Sequence, residues 1–258
     1  MSRSSNTDAV RGSPDSLANL LLATLSGGMV GLSDSLGVLR RGGAEVRADL
    51  RHVVRGDGVL VKPDAPIVPI DAVYQADAGG GDGPMVAATD TDHGAGLKSA
   101  YVFAYSRPRL DRPATVSLSA AQVGFSGEGR VYVYDGVTGR GSVQAARTPI
   151  RLVLHRGPPY HGAYITIVPV GASGIAFLGD TGLFASLGRQ RIPALSDDGH
   201  ATHATIRFAP EEGPIDLAFY ARSAPAVRAT AGTAGRLDYD ATSHLYQVPI
   251  TPARSTSR

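Results

Sequence analysis

The 258-residue chain is 43% hydrophobic and 19% charged, close to an ordinary folded domain, and long enough to bury a sizeable core. It has no cysteine, which excludes a disulfide frame, a thiol nucleophile and a cysteine zinc site. The formal charge is only +2, and the arginines that dominate the basic residues are scattered, so the basic stripe of a nucleic-acid groove is missing and no nucleic-acid partner is expected.

Residues 1–12 and 251–258 are polar and aperiodic and are expected to be disordered. Ser13, Pro14 and Asp15 suit the cap, first position and positive end of a helix. Leu17, Leu20, Leu21 and Leu25 then recur at helical spacing until Gly27-Gly28. Leu17 to Leu25 is too short to span a bilayer and lacks the flanks of a signal peptide. The chain as written is therefore expected to stay in the cytoplasm and off the membrane. A short strand over Met29 to Ser33 closes on Asp34. A second helix is predicted over Ala44 to Arg55, with Val46, Leu50, Val53 and Val54 inward and Gly56 as its stop.

Helix, strand, acidic residue and helix make one α/β unit, which cannot close a sheet alone. Pro63, Pro66 and Pro69 follow at intervals of three, a spacing that predicts an extended, polyproline-like crossing. The Gly-rich link AGGGDGP then places a boundary near Asp77. Residues 13–76 are thus read as an α/β unit plus linker, and residues 77–250 as a β domain. Within it, strands are predicted over Ala100–Tyr105, Thr115–Leu118, Arg130–Tyr134, Ile150–Leu154 and Ala163–Val168. Others follow over Ile175–Leu178, Ala204–Phe208, Ile215–Tyr220 and His244–Val248. Short strands broken by turns, with no helix between, indicate a mainly β fold built as an antiparallel sandwich or barrel-like domain.

Nucleotide and nucleophile motifs fail. GAGLKS lacks a glycine directly before Lys98, and Ser126 and Ser173 have no Gly-x-Ser-x-Gly frame. His200 and His203 enter a strand, where positions three apart face opposite ways, so they read as surface histidines rather than metal ligands. Asp90, Asp92 and His93 lack the closing glutamate of a calcium loop and read as a turn between strands. Tyr101, Phe103 and Tyr105 share a strand face, as do Tyr132 and Tyr134. They read as core before they read as a sugar platform, and tryptophan, the usual platform, is absent. No cofactor and no metal are expected.

LSGGMVGLSDSLG (Leu25 to Gly37), followed by RGDGVLVKPDAPIVPIDAVY, resembles the raffinose synthase and alkaline α-galactosidase group of glycoside hydrolases. Ser26, Gly27, Gly28, Ser33, Asp34, Asp57 and Gly58 fit the family pattern, while Met29 and Gly31 stand where a proline and an aromatic would be expected. VYVYDGVTG, TIVPVG and IAFLGD resemble the β domain after the family's barrel. The resemblance implies that the α/β unit is the end of a (β/α)8 barrel followed by an antiparallel β-sandwich. It places Asp34 at the carboxyl end of a barrel strand, where substrates bind, and assigns Ser33, Gly27 and Gly28 to substrate binding with it. Asp34 has two readings, an acceptor for a sugar hydroxyl or a cap for the helix after it. The resemblance puts the two catalytic carboxylates on earlier strands, so no catalytic residue is assigned here.

Three functions follow. The first is the structural C-terminal portion of a carbohydrate-active protein, inactive alone, with an upstream catalytic portion or partner chain. It predicts that the isolated chain exposes the apolar face of its first helix and strand, and so aggregates or seeks a partner. The second is an independent β-sandwich module with a carbohydrate ligand. The third is a complete enzyme pairing Asp34 with an acid of the TDTDH stretch.

Overall fold

The computed structural model describes residues 16–28, 30, 48–70, 84–105, 114–154 and 162–253. Among these the fold is mainly β, with antiparallel pairing throughout. One helix, α1 (Ser16–Leu25), precedes the strands. No helix among the described residues is long and apolar enough to cross a membrane.

The larger sheet takes β1 (Val68–Pro69), β2 (Met85–Asp92), β3 (Lys98–Tyr105), β5 (Arg130–Asp135), β6 (Arg140–Ala145) and β8 (Gly162–Pro169). Their order is β1-β2-β3-β8-β5-β6. A ribbon of β4 (Ala114–Leu118) and β7 (Ile150–Leu154) lies apart from it. The second sheet pairs β9 (Ala176–Gly179), β12 (Ile215–Tyr220), β13 (Thr233–Ala234), β14 (Asp238–Asp240) and β15 (Leu245–Thr251). A separate hairpin joins β10 (Ala194–Asp197) to β11 (Thr202–Thr205).

The central strands β3 and β8 are buried along nearly their whole length, which means that both faces of the larger sheet are covered. On one face Val86, Val102, Ile165 and Ile167 meet Leu118, Ile150, Leu152 and Leu154 of the ribbon. Strict alternation along β7 explains this: Ile150, Leu152 and Leu154 point in while Arg151 and Val153 point out. On the other face Tyr132 and Val168 pack on Leu178, Leu217 and Val248 of the second sheet. Beside them Tyr101, Phe103 and Tyr164 receive Leu20, Leu21 and Leu25 of α1 together with Leu183 and Phe184. The apolar face of α1 is therefore covered within the chain, contrary to the expectation that it would be exposed.

Several predicted elements shift. The second helix ends by Leu50 rather than running to Arg55, and what precedes residue 48 lies outside the described residues. Val54 instead bridges Leu60 across a turn, with Arg55 N donating to Val59 O at 3.0 Å. Asp90 and Asp92 belong to β2, not to a turn, because Thr89 and Thr91 alternate inward and the turn begins only at His93. The strand expected over Ala204–Phe208 occupies Thr202–Thr205, since Arg207 N pairs with Arg191 O at 2.8 Å instead of continuing the hairpin. The boundary near Asp77 and the strand over Met29 to Ser33 lie outside the described residues, apart from Val30, which is not in a strand.

Candidate functional site

Of the four residues assigned to substrate, Ser33 and Asp34 lie outside the described residues. Gly27 and Gly28 form the end of α1. Gly27 adopts φ 69°, its N–H donates to Thr24 O at 3.1 Å, and its carbonyl accepts from Lys62 Nζ at 2.8 Å. Gly28 N donates to Ser26 Oγ at 3.4 Å. These bonds stop the helix and tie it to the following segment.

That segment is held to the β body by a polar seam at Gln190, beside the buried Arg191, which is 3% exposed. Arg191 donates to both oxygens of Glu212, at 2.8 and 2.6 Å, and to Arg207 O at 2.9 Å. Its Nε lies 3.2 Å from Asp180 Oδ2. Arg55 donates to Gln190 O at 2.8 Å and to Asp57, and Lys62 N donates to the Gln190 side chain at 3.1 Å. Nearby, Phe184 N donates to His52 O at 2.8 Å and the two rings stack at 5.5 Å. Burial pushes the Asp180 carboxyl above its usual range, against the pull of Arg191, with Glu212 and Asp216 adding to the rise. Burial acts the same way on Glu212, but its bonds from Arg191 and Ala209 N outweigh it and hold that carboxyl low.

Asp180 also lines a cleft of about 360 Å³ with Asp216 and Gln247. Retaining or inverting sugar hydrolysis needs one carboxylate free to donate a proton and a second free to attack or to activate water. Asp180 is committed to Arg191, so the cleft offers one such group rather than two. Asp90 and Asp92 do not serve either. Asp90 pairs with Lys98 at 2.8 Å, and Asp92 accepts from Gly94 N at 2.8 Å. Among the described residues no group of three or more His, Asp or Glu side chains could hold a metal. His203 is exposed and bonds Asp198 at 3.1 Å, while the His200 amide caps the same carboxylate at 2.9 Å.

A different site emerges where the edge of the larger sheet meets the second sheet. Its frame is the β14–β15 turn. Asp240 accepts from Thr242 N at 2.8 Å and from Ser243 Oγ at 2.7 Å, and these bonds hold its carboxyl below the usual range. The buried Tyr132 hydroxyl donates to Ser243 O and fixes the turn to β5. His244 follows in the left-handed region at φ 57°. Its Nδ1 lies 3.0 Å from the Tyr239 hydroxyl, and Tyr239 packs on Tyr246 with ring centroids 5.0 Å apart. Tyr220 stacks on Tyr132 at 5.6 Å.

Tyr220, Tyr239, Tyr246 and His244, with Arg130 and Arg222, line an open pocket of about 440 Å³. No carboxylate lines it, and among the described residues neither arginine has an ion-pair partner. Tyr239 is 52% exposed, so an aromatic surface stands open to solvent. The arrangement can stack a flat apolar surface and hydrogen-bond hydroxyls around it. Sequence reasoning placed Tyr132 in the core, where it lies, but missed the pocket above it. The one local signal was the DYDATSHLY stretch, a turn flanked by aromatics.

No family model matches the chain, and the comparison with curated proteins finds no match.

Proposed function

We propose that the chain is the structural C-terminal portion of a glycoside hydrolase-like protein of the raffinose synthase and alkaline α-galactosidase type, inactive alone. In this reading residues 77–250 form an antiparallel β-sandwich. Residues 13–76 are the last α/β unit of a (β/α)8 barrel with its linker, and the catalytic carboxylates lie on other barrel strands. The observation that carries it is the seam at Arg55, Lys62 and Gln190, which clamps residues 48–62 onto the β body; the covered apolar face of α1 runs against the exposure this reading expected. Such a clamp is what a domain that buttresses a barrel requires, and the resemblance over Leu25 to Tyr74 supplies the barrel. Sequencing the DNA immediately upstream of the Met1 codon tests it. The expected result is a frame that continues into, or was broken from, earlier barrel strands. Unrelated sequence behind a genuine start signal overturns it.

A second reading, a carbohydrate-binding module, is favoured by the pocket of Tyr220, Tyr239 and Tyr246. Exposed aromatic faces stack on the C–H faces of sugar rings, and the Ser142, Tyr239 and His244 side chains supply hydrogen-bonding groups around them. Screening the full chain against a broad glycan panel tests this reading. Binding that Tyr239→Ala weakens supports it, and the absence of any glycan bound removes it.

A further inference from the structure

The pocket between β5–β6 and β12–β15 carries an asymmetry that a neutral sugar does not explain. Two arginines line it, Arg130 at the start of β5 and Arg222 just after β12, and no acidic side chain joins them. Elsewhere among the described residues, Arg55, Arg189, Arg191 and Arg236 each meet a carboxylate, whereas Arg140, Arg147, Arg151 and Arg207 meet none. What sets Arg130 and Arg222 apart is that both line one pocket. The nearby acid, Asp240, is turned to its own task, with both carboxylate oxygens accepting bonds inside the β14–β15 turn. The pocket therefore presents uncompensated positive charge beside three tyrosine side chains.

The site is also built rather than incidental. His244 holds a left-handed backbone that a non-glycine residue rarely adopts, and Tyr132 and Asp240 fix the turn that imposes it. The consequence is that the Tyr239 hydroxyl and His244 Nδ1 meet at 3.0 Å, leaving the other ring nitrogen available to a ligand. Five strands of two sheets, β5, β6, β12, β14 and β15, contribute lining residues, so the frame exists before any ligand arrives. Its volume of about 440 Å³ falls in the range of small-molecule sites.

We propose that this pocket binds a sugar bearing a carboxylate, a hexuronate residue of a glycan, with Arg130 and Arg222 receiving the carboxylate and the tyrosines receiving the ring. A guanidinium matches a carboxylate in plane and in charge, and it remains protonated throughout the physiological range. The proposal rests on the carbohydrate-binding reading and adds the class of sugar to it.

Calorimetric titration of the full chain with four probes tests the assignment: a hexuronate trisaccharide, the matching neutral hexose trisaccharide, a hexose 6-phosphate and acetate. The hexuronate should bind at least about tenfold more tightly than the neutral sugar, the scale of one charge-assisted contact. The Arg130→Gln/Arg222→Gln double variant should erase that difference, and Tyr239→Ala should weaken both sugars. Added salt should weaken the hexuronate and leave the neutral sugar unchanged, a check on the unmodified chain that no folding defect can imitate. Equal binding of acidic and neutral sugars overturns the carboxylate assignment and leaves the carbohydrate reading standing. Binding of neither overturns both. Acetate binding as tightly as the hexuronate, or the sugar phosphate binding more tightly, also overturns the proposal, because the site would then recognise a bare anion or a phosphate.

Discussion

Arg191 is 3% exposed, and its charge is balanced by Glu212 and Asp180. Removing the guanidinium leaves two carboxylates in a poorly solvated place with no cation between them. Arg191→Leu should therefore destabilise the chain by about 3–5 kcal/mol, the cost of breaking a buried pair from one side. A denaturant titration reads it as a lowered midpoint, and an unchanged midpoint would mean that water already screens the network. Asp197 makes a different case. It accepts from Ser173 N and Oγ, Gly199 N and Thr202 Oγ1. Burial pushes its carboxyl up, but these bonds prevail and hold it below the usual range. A carboxylate with a lowered folded pKa stabilises fully above its unfolded value of about 3.9, and that stability is lost as pH falls through the folded value. Asp197→Asn should thus lower the melting temperature at pH 7 and make progressively less difference in acid below about pH 3.9. A penalty independent of pH would show that shape, not charge, holds the turn. Neither network was legible in the sequence. Asp180, Arg191 and Glu212 sit in separate segments with no spacing rule, and only folding brings them together.

At the scale of elements, alternation was enough where one face of a strand is apolar. Ile150–Leu154 and Ile215–Tyr220 have the bounds their patterns predict. It failed where the inward residues are themselves polar or small. β2 buries Thr89 and Thr91, so its TDTD run resembles a turn. β6, RGSVQA, lies at the edge of its sheet with no fully buried position and gives no apolar signal. The β10–β11 hairpin did carry a cue, since Asp198-Gly199 is a strong turn pair, but its strands are too polar to suggest pairing. β9 shows how an element delivers a site. Gly179 pairs with Ala218 where the register with β12 shifts, and it adopts φ 75° before the chain enters the Asp180 to Ile192 segment. An added Cβ there would sit 2.4 Å from Ser186 O, a backbone atom that cannot turn aside. Gly179→Ala should cost about 2 kcal/mol or more, strain and clash together. Gly94→Ala has a similar φ of 81° but open space around it, so its cost should be only about 1 kcal/mol. Equal penalties in thermal melts would mean that the Ser186 backbone yields.

For the whole molecule, sequence and structure agree on a mainly β chain and part over how its beginning relates to the rest. The sequence divides into an α/β unit with its linker and a β domain, and one such unit must dock on something else or lack its neighbours. The described segments instead share a core, with Leu21, Leu25, Val53 and Val61 packed among Tyr101, Phe103, Tyr164 and Phe184. Tyrosine and phenylalanine on alternate positions of β3 read as core in the sequence. What they pack against could not be read, because that depends on a contact between distant segments. The pocket of Tyr220, Tyr239 and Tyr246 was hidden for the same reason, its walls coming from strands of both sheets.

The central claim, that the β body holds the preceding segment as part of one cooperative unit, is tested most directly by native-state hydrogen exchange. The amides of Lys62 and Phe184, which bond to the Gln190 side chain and to His52 O, report the seam, and those of β3 and β8 report the sheet. One unit predicts that both sets exchange through the same global opening, with the same free energy and the same response to denaturant. Seam amides that exchange orders of magnitude faster, by an opening that leaves the sheet protected, would contradict it and remove the ground for a buttressing role.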